Sequence, residues 1–376
     1  MIWKSRSQEP NGLPASAPVG FPFIAKGVFV NAESKRLVVY TEREEGPVCG
    51  LDEKVIQGAG GTVKFGQAKT LAERVTLAQS AEVLIASTSP ITREFLQELP
   101  QLKGIVRLGI GVDSVDLQAA TDLGIVVANV PEFCQQEVAE HALGLLFCVA
   151  RKITLADRMT RQGKWVVGVQ ERMLPMRRLS GQTLGLIGFG RIARKLAGMA
   201  RALGLQVIAS DPYVDRKVAE EAGVRLLPFA DVLRQADIVS LHVPLTPQTR
   251  HLMNSEAFAL MKRGAILINT ARGPVVDEVA LEAALAEGRL GGAGLDVLEQ
   301  EPPQIPHPLL DFDNVVLTCH YASCSFEAYA ELRRSVSEQA AQILRGDFPR
   351  NLVNPEVKDL PQCRLRKQNV PTGIKS

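Results

Sequence analysis

The chain has 376 residues, enough for about two domains at ~100–200 residues each. Hydrophobic residues make up 46% and charged residues 22%, which argues against disorder of the whole chain, and no apolar run approaches the ~20 residues that cross a bilayer. With 43 basic and 41 acidic residues the net charge is +2, so no global field draws the chain to nucleic acid or to an anionic membrane.

In chain order, residues 1–35 hold four prolines and little apolar periodicity, and read as a tail or surface arm. The runs 36–40, 81–87, 104–107 and 125–128 read as strands, with a short helix between Pro90 and Pro100. Residues 137–152 read as one long helix that joins two units. A second series of strands follows at 183–187, 206–210, 237–241, 265–269, 292–297 and 315–318, with helical segments between them. Strands alternating with helices imply parallel sheets, and six of them fit a doubly wound α/β domain. Residues 356–376 read as a basic, polar, solvated tail. The six cysteines, Cys49, Cys134, Cys148, Cys319, Cys324 and Cys363, form no C-x-x-C pair and show no zinc spacing. No metal is expected, and scattered thiols suit a reducing compartment. The basic start M-I-W-K-S-R has no apolar run behind it, so a cytoplasmic protein is expected.

One turn carries specific chemistry. Gly188-Phe-Gly-Arg-Ile-Ala193 has the form G-x-G-x-x-A, follows a strand and opens a helix. Gly188 permits the tight turn, Gly190 lets backbone approach a pyrophosphate, and Ala193 lets helix pack on strand. The helix start then offers unpaired N–H groups and a favourable dipole to phosphate. Asp211 ends the next strand, 21 residues after Gly190. A carboxylate there accepts both ribose hydroxyls and repels a 2′-phosphate, so NAD is expected over NADP, with Arg216 and Lys217 nearby as the opposing signal.

Four further runs stand in order: Ile268-Asn-Thr-Ala-Arg-Gly-Pro274, Gly294-Leu-Asp-Val297, Glu301-Pro302 and Thr318-Cys-His-Tyr-Ala322. Together with Arg107-Leu-Gly-Ile-Gly-Val-Asp113 and the segment Asn129–His141, the chain over roughly residues 36–355 resembles the D-isomer-specific 2-hydroxyacid dehydrogenases. The resemblance implies a Rossmann cofactor domain at 137–320 and a flavodoxin-like α/β substrate domain at 36–136 plus 321–355. It implies a homodimer formed through the cofactor domains, with the arm 152–179 and Trp165 at the contact. It also assigns Arg191, Ile192, His242, Pro244 and Thr270 to the cofactor and places Asp296 near the nicotinamide ring.

The chemistry of the residues agrees. Reducing a 2-keto acid needs a cation for the carboxylate, a hydride donor and an acid for the carbonyl oxygen. Arg272 follows a strand end, where a guanidinium can hold a carboxylate bidentately. His320 also follows a strand end, and imidazole exchanges protons near neutrality. Glu301 is the partner that orients its ring. The loop Arg107–Gly111 offers backbone N–H groups to the substrate carboxylate. The resemblance lines the site with Leu108, Gly109 and Ile110. Arg107 either adds a second cationic contact or points to solvent. Ser87 and Thr88 follow an earlier strand and are further substrate candidates.

The chain departs from the family pattern around the histidine. Cys319 replaces the usual proline, and Ser323-Cys-Ser325 stands where an aromatic residue often closes the pocket. Cys319 and Cys324 are expected to be buried, inert thiols. The function expected is NAD-dependent interconversion of a D-2-hydroxy acid and a 2-keto acid. The alternative is a binding module, an NADH-sensing co-repressor on the same fold.

Overall fold

The computed structural model describes residues 36–43, 51–165 and 169–365. The expected N-terminal tail and residues 366–376 lie outside the described residues. The first sheet is built from β1 (Arg36–Tyr40), β2 (Glu42–Arg43), β3 (Gly61–Gln67), β4 (Ala81–Ala86), β5 (Gly104–Arg107) and β6 (Val126–Ala128). Their order is β2-β3-β1-β4-β5-β6. All neighbours are parallel except the β2–β3 ribbon. Without β2, the order by chain position is 2-1-3-4-5, the flavodoxin-like winding. The central strands are buried on both faces, as parallel sheets covered by helices require. β3 is unlike them. Its G-T-V-K-F-G-Q sequence is half-covered and carries Lys64 and Gly66, so it gives no continuous apolar run.

The second sheet contains β7 (Thr183–Ile187), β8 (Gln206–Ser210), β9 (Arg225–Leu226), β10 (Ile238–Leu241), β11 (Ala265–Asn269), β12 (Leu290–Leu295) and β13 (Val315–Leu317). Its order is β13-β12-β11-β10-β7-β8-β9, parallel throughout. The winding reverses between β7 and β10, and ligands of such sheets bind at that switch. β12 ends at Leu295, two residues before the expected end, so Asp296 begins the loop after the strand.

Two helices connect the sheets. The helix Gln135–Ala150 buries Ala139, Ala142, Leu145, Leu146 and Val149 in the same cluster as Leu184, Leu186, Ala193 and Leu196. The helix Phe326–Arg345 returns to the first sheet and buries Leu332, Val336, Ala340 and Ile343 against Val38, Val83, Ile85 and Val106. Ser325 caps this helix through Ala328 N and also donates 2.7 Å to Glu137 Oε1 of the other helix.

The chain does not become a solvated tail at residue 356. Val357, Cys363 and Leu365 are buried, and Arg364 donates to the carbonyls of Leu99, Leu102 and Leu123 at 2.7–3.0 Å. Asn354 anchors the segment. Its Oδ1 accepts from Val127 N at 2.8 Å, and its Nδ2 donates to Thr121 Oγ1 and Ile125 O. The buried side chains lack helical or alternating spacing, so the segment reads as polar although it packs. Among the described residues no helix is long and apolar enough to cross a membrane.

Candidate active site

The functional candidates collect at the carboxyl edges of both sheets. After β7 comes the Gly188–Gly190 turn, after β10 His242, after β11 Thr270 and Arg272, after β12 Asp296, and after β13 His320. On the first sheet, Glu42 follows β1, Ser87 follows β4 and Leu108 follows β5.

The turn has the geometry its glycines suggest. Gly188 has φ +86°, and a Cβ there would stand 2.6 Å from the His242 carbonyl oxygen. Gly190 caps the helix Arg191–Ala202 without a side-chain bond, and a Cβ there would meet nothing within 4 Å. The helix start is therefore uncapped and open beside Gly190. Phe189 N donates to Asp211 Oδ2 at 2.8 Å and Tyr213 N to Asp211 Oδ1 at 2.8 Å. This holds the carboxylate beside the turn. Ile192 is partly buried under the turn, and Arg191 is largely exposed, 3.8 Å from Glu132. The Thr270 hydroxyl is buried without a hydrogen-bond partner. His242 Nε2 lies 2.9 Å from Ser240 Oγ, and burial lowers its pKa to about 4, so it stays neutral; Pro244 beyond it is exposed. An open helix start, a carboxylate at the next strand end and an orphaned hydroxyl together fit a dinucleotide.

Arg272 reaches from the second sheet to the first. Its Nε donates to Asp113 Oδ2 at 2.7 Å and its Nη1 to the Ala271 carbonyl at 2.7 Å. A Cβ on Gly111 would collide with the Arg272 guanidinium, so a larger residue at that loop position would displace Arg272. Arg107 does not point to solvent. Its Nη1 donates to the Leu108 carbonyl, and its Nε is buried without a partner. Burial, and then the Arg272 charge, pull its pKa below the ordinary guanidinium value. Leu108 and Ile110 pack against the first-sheet core, and Gly109 has φ +152°. Ser87 N donates to Glu42 Oε1 at 2.8 Å.

His320 sits in a left-handed turn with φ +53°. Its Nδ1 lies 2.6 Å from Glu301 Oε2, and Glu301 Oε1 accepts from Leu298 N at 3.0 Å. Gly273, next to Arg272, packs so closely on the Leu298 carbonyl that a Cβ would collide with it. Arg272, Glu301 and His320 are thus tied through one short stretch of backbone.

Asp296 lies beneath them, 2% exposed. Its Oδ1 accepts from Thr318 Oγ1 at 2.6 Å and Tyr321 N at 3.1 Å, and its Oδ2 from Ala322 N at 3.0 Å. Its backbone carbonyl accepts from His320 N at 2.8 Å. Burial raises its pKa, but the hydrogen bonds from His141, Thr318 and Ala322 outweigh it and hold the carboxyl below its ordinary value. His141 Nε2 is 3.0 Å from Thr318 Oγ1. The hydroxyl's one proton goes to Asp296, so the histidine is the donor. Both Asp296 oxygens therefore serve the turn that carries His320.

Sequence reasoning missed His141, Asp113 and Glu42. His141 lies in the helical run 137–152, and Asp113 ends a glycine loop whose cues concern backbone. Cys319 and Cys324 are exposed, unlike the buried thiols expected. The proline usual at position 319 is absent, and the turn faces outward. Cys134 is buried, and burial pushes its thiol up to about 12. Among the described residues no cluster of three or more candidate ligands is placed to hold a metal.

With this geometry in hand, the relatives are informative. The family model for the D-isomer specific 2-hydroxyacid dehydrogenase, NAD binding domain, matches residues 143–322. A D-3-phosphoglycerate dehydrogenase of Methanocaldococcus jannaschii is 40% identical over 309 residues, covering 82% of this chain and 58% of that protein. The chain thus spans little more than half of that relative. A glyoxylate reductase of Korarchaeum cryptofilum is 40% identical over 289 residues, covering 77% of this chain and 86% of that one. The crystal structure of D-lactate dehydrogenase from Aquifex aeolicus, complexed with NAD and lactic acid, is similar with a TM-score of 0.74 at 28% identity, covering 84% of this chain and 99% of that one.

Asp296 yields a prediction. Its folded-state pKa is depressed, so its contribution is present above the ordinary carboxyl range and lost as pH falls through the depressed value. Asp296→Asn destabilises the protein by about 2–4 kcal/mol at pH 7, and the deficit shrinks below about pH 4. Denaturant unfolding at a series of pH values measures this. A deficit independent of pH contradicts a charged Asp296.

Proposed function

The chain belongs to the D-isomer specific 2-hydroxyacid dehydrogenase family, and from that premise we propose that it is an NAD-dependent reductase of a 2-keto acid to a D-2-hydroxy acid, working also in reverse. The carrying observation is the His320 Nδ1 to Glu301 Oε2 contact of 2.6 Å, at the strand edge that also presents Arg272. Glu301 holds one ring nitrogen, leaving Nε2 for the substrate.

Arg272 binds the substrate carboxylate. Asp113 and the Ala271 carbonyl engage Nε and Nη1, which fixes the guanidinium plane and leaves the Nη1/Nη2 fork for bidentate contact. NADH, when held by the helix start after Gly190, would supply the hydride that reduces the keto carbon. His320 donates its proton to the keto oxygen from Nε2 and regains one from solvent; in reverse it takes the hydroxyl proton. The helix start after Gly190 holds the pyrophosphate, and Asp211 takes the ribose hydroxyls, which favours NAD over NADP. Thr270 offers the cofactor its unpartnered hydroxyl. Closing the two edges excludes water from the charged groups. The binding-module reading is not favoured: the relatives compared are named dehydrogenases and reductases, and Arg272, Glu301 and His320 are all present.

The reading includes a homodimer. Ile153, Trp165 and Leu174 are exposed on the arm after the joining helix, Trp165 by 83%, and a second copy covers them. A monomer in light scattering at micromolar concentration contradicts this. Unpaired thiols among the described residues accord with a cytoplasmic setting.

The direct assay is NADH oxidation followed by absorbance, with a panel of 2-keto acids and with NADPH in parallel. His320→Ala lowers kcat on the order of 10²–10⁴-fold while NADH binding persists. Unchanged turnover removes His320 from the chemistry. Asp113→Asn keeps the fold but frees the guanidinium to rotate, raising KM about tenfold; a lowered KM identifies Asp113 instead as a competitor for Arg272.

A further inference from the structure

The carboxyl edge of the first sheet holds an anion that the chain itself supplies. Glu42 Oε1 accepts from Ser87 N at 2.8 Å. Its Oε2 accepts from Thr88 N at 2.7 Å, Ser89 N at 3.0 Å and Thr88 Oγ1 at 3.1 Å. Three consecutive backbone N–H groups and a hydroxyl converging on one group are the donors an oxyanion ligand would use. Here Glu42, the first residue of β2, takes them.

Two guanidiniums feel its charge. Arg74, 7% exposed, has buried Nε and Nη2 atoms without hydrogen-bond partners, and Arg107 has a buried, unpartnered Nε. Among the described residues neither forms an ion pair within 4.0 Å, and Glu42 acts on both electrostatically. Arg107 in turn feels Arg272 and Asp113. Charge coupling therefore links Arg272, after β11 of the second sheet, through Arg107 at the end of β5 to Glu42 at the start of β2. Resting on the reading of Arg272 as the carboxylate site, a 2-keto acid has only its substituent left to place toward those charges.

We propose that Glu42, seated on the N–H groups of Ser87–Ser89 and within electrostatic reach of Arg74 and Arg107, fills the distal end of the substrate cleft with a fixed negative charge, so that this chain selects 2-keto acids without a second anionic group and rejects phosphorylated ones. Without Glu42, the same N–H and hydroxyl donors form an anion site, with the charges of both guanidiniums within electrostatic reach. Like charges brought together in a partly enclosed cleft discriminate by at least about tenfold.

Hydroxypyruvate and phosphohydroxypyruvate differ only by the phosphate, so the ratio of their kcat/KM values reads the effect directly. The wild-type protein favours hydroxypyruvate. In Glu42→Gln, which keeps the side-chain size, and in Glu42→Ala, the ratio moves toward the phosphorylated substrate by at least about tenfold. A role limited to holding the loop would lower both kcat/KM values together and leave the ratio in place. A second readout needs no turnover: inorganic phosphate raises the melting temperature of both variants and not of the wild type. An unchanged ratio, a wild-type preference for the phosphorylated acid, or equal phosphate shifts in all three proteins overturns the proposal. If no protein reduces either acid, the dehydrogenase reading fails, and the phosphate shifts alone decide the role of Glu42.

Discussion

One buried carboxylate carries the geometry of the whole site. Burial works against a charge on Asp296, and hydrogen bonds from a hydroxyl and two backbone N–H groups offset that cost. Those donors all come from Thr318–Ala322, the turn that bears His320. A non-glycine residue in the left-handed region costs roughly 1–2 kcal/mol and persists only where its surroundings over-determine it. Asp296 supplies that constraint through both its side chain and its own carbonyl. His141 completes the set from the joining helix, so an element of the scaffold holds the active turn.

From that fixed turn the other groups follow. Glu301 meets the His320 ring because Leu298 N holds its other oxygen, and the Leu298 carbonyl lies against Gly273. Arg272 is next in sequence and reaches Asp113 on the opposite sheet. The Arg272 guanidinium is therefore oriented by a residue of the other sheet's loop.

The parts legible in the sequence are those whose signal is local. The turn at Gly188–Ala193 announces itself because strand, glycines, helix and Asp211 fall within one short stretch. Arg272 and His320 are visible because each follows a strand end within a specific run, Glu301 because it stands in the Glu301-Pro302 pair, and the family resemblance supplies their roles. Glu42, Asp113 and His141 are invisible because their partners lie at Ser87–Ser89, Arg272 and Thr318, far along the chain. A lone acid after a short strand and a histidine in a helix carry no pattern. β3 and the segment 356–365 escape for a related reason. They bury side chains at irregular intervals, so packing stabilises them where periodicity gives no sign.

The central claim is hydride transfer from NADH to the keto carbon with a fixed handedness. The measurement that tests it most directly uses NADH doubly deuterated at nicotinamide C4 with a reducible 2-keto acid. The hydroxy acid formed is then examined by mass spectrometry and chiral chromatography. The account predicts one deuterium at C2 of the D-hydroxy acid for each NADH consumed. An unlabelled product, an L-configured product, or NADH oxidised with no hydroxy acid formed would contradict it.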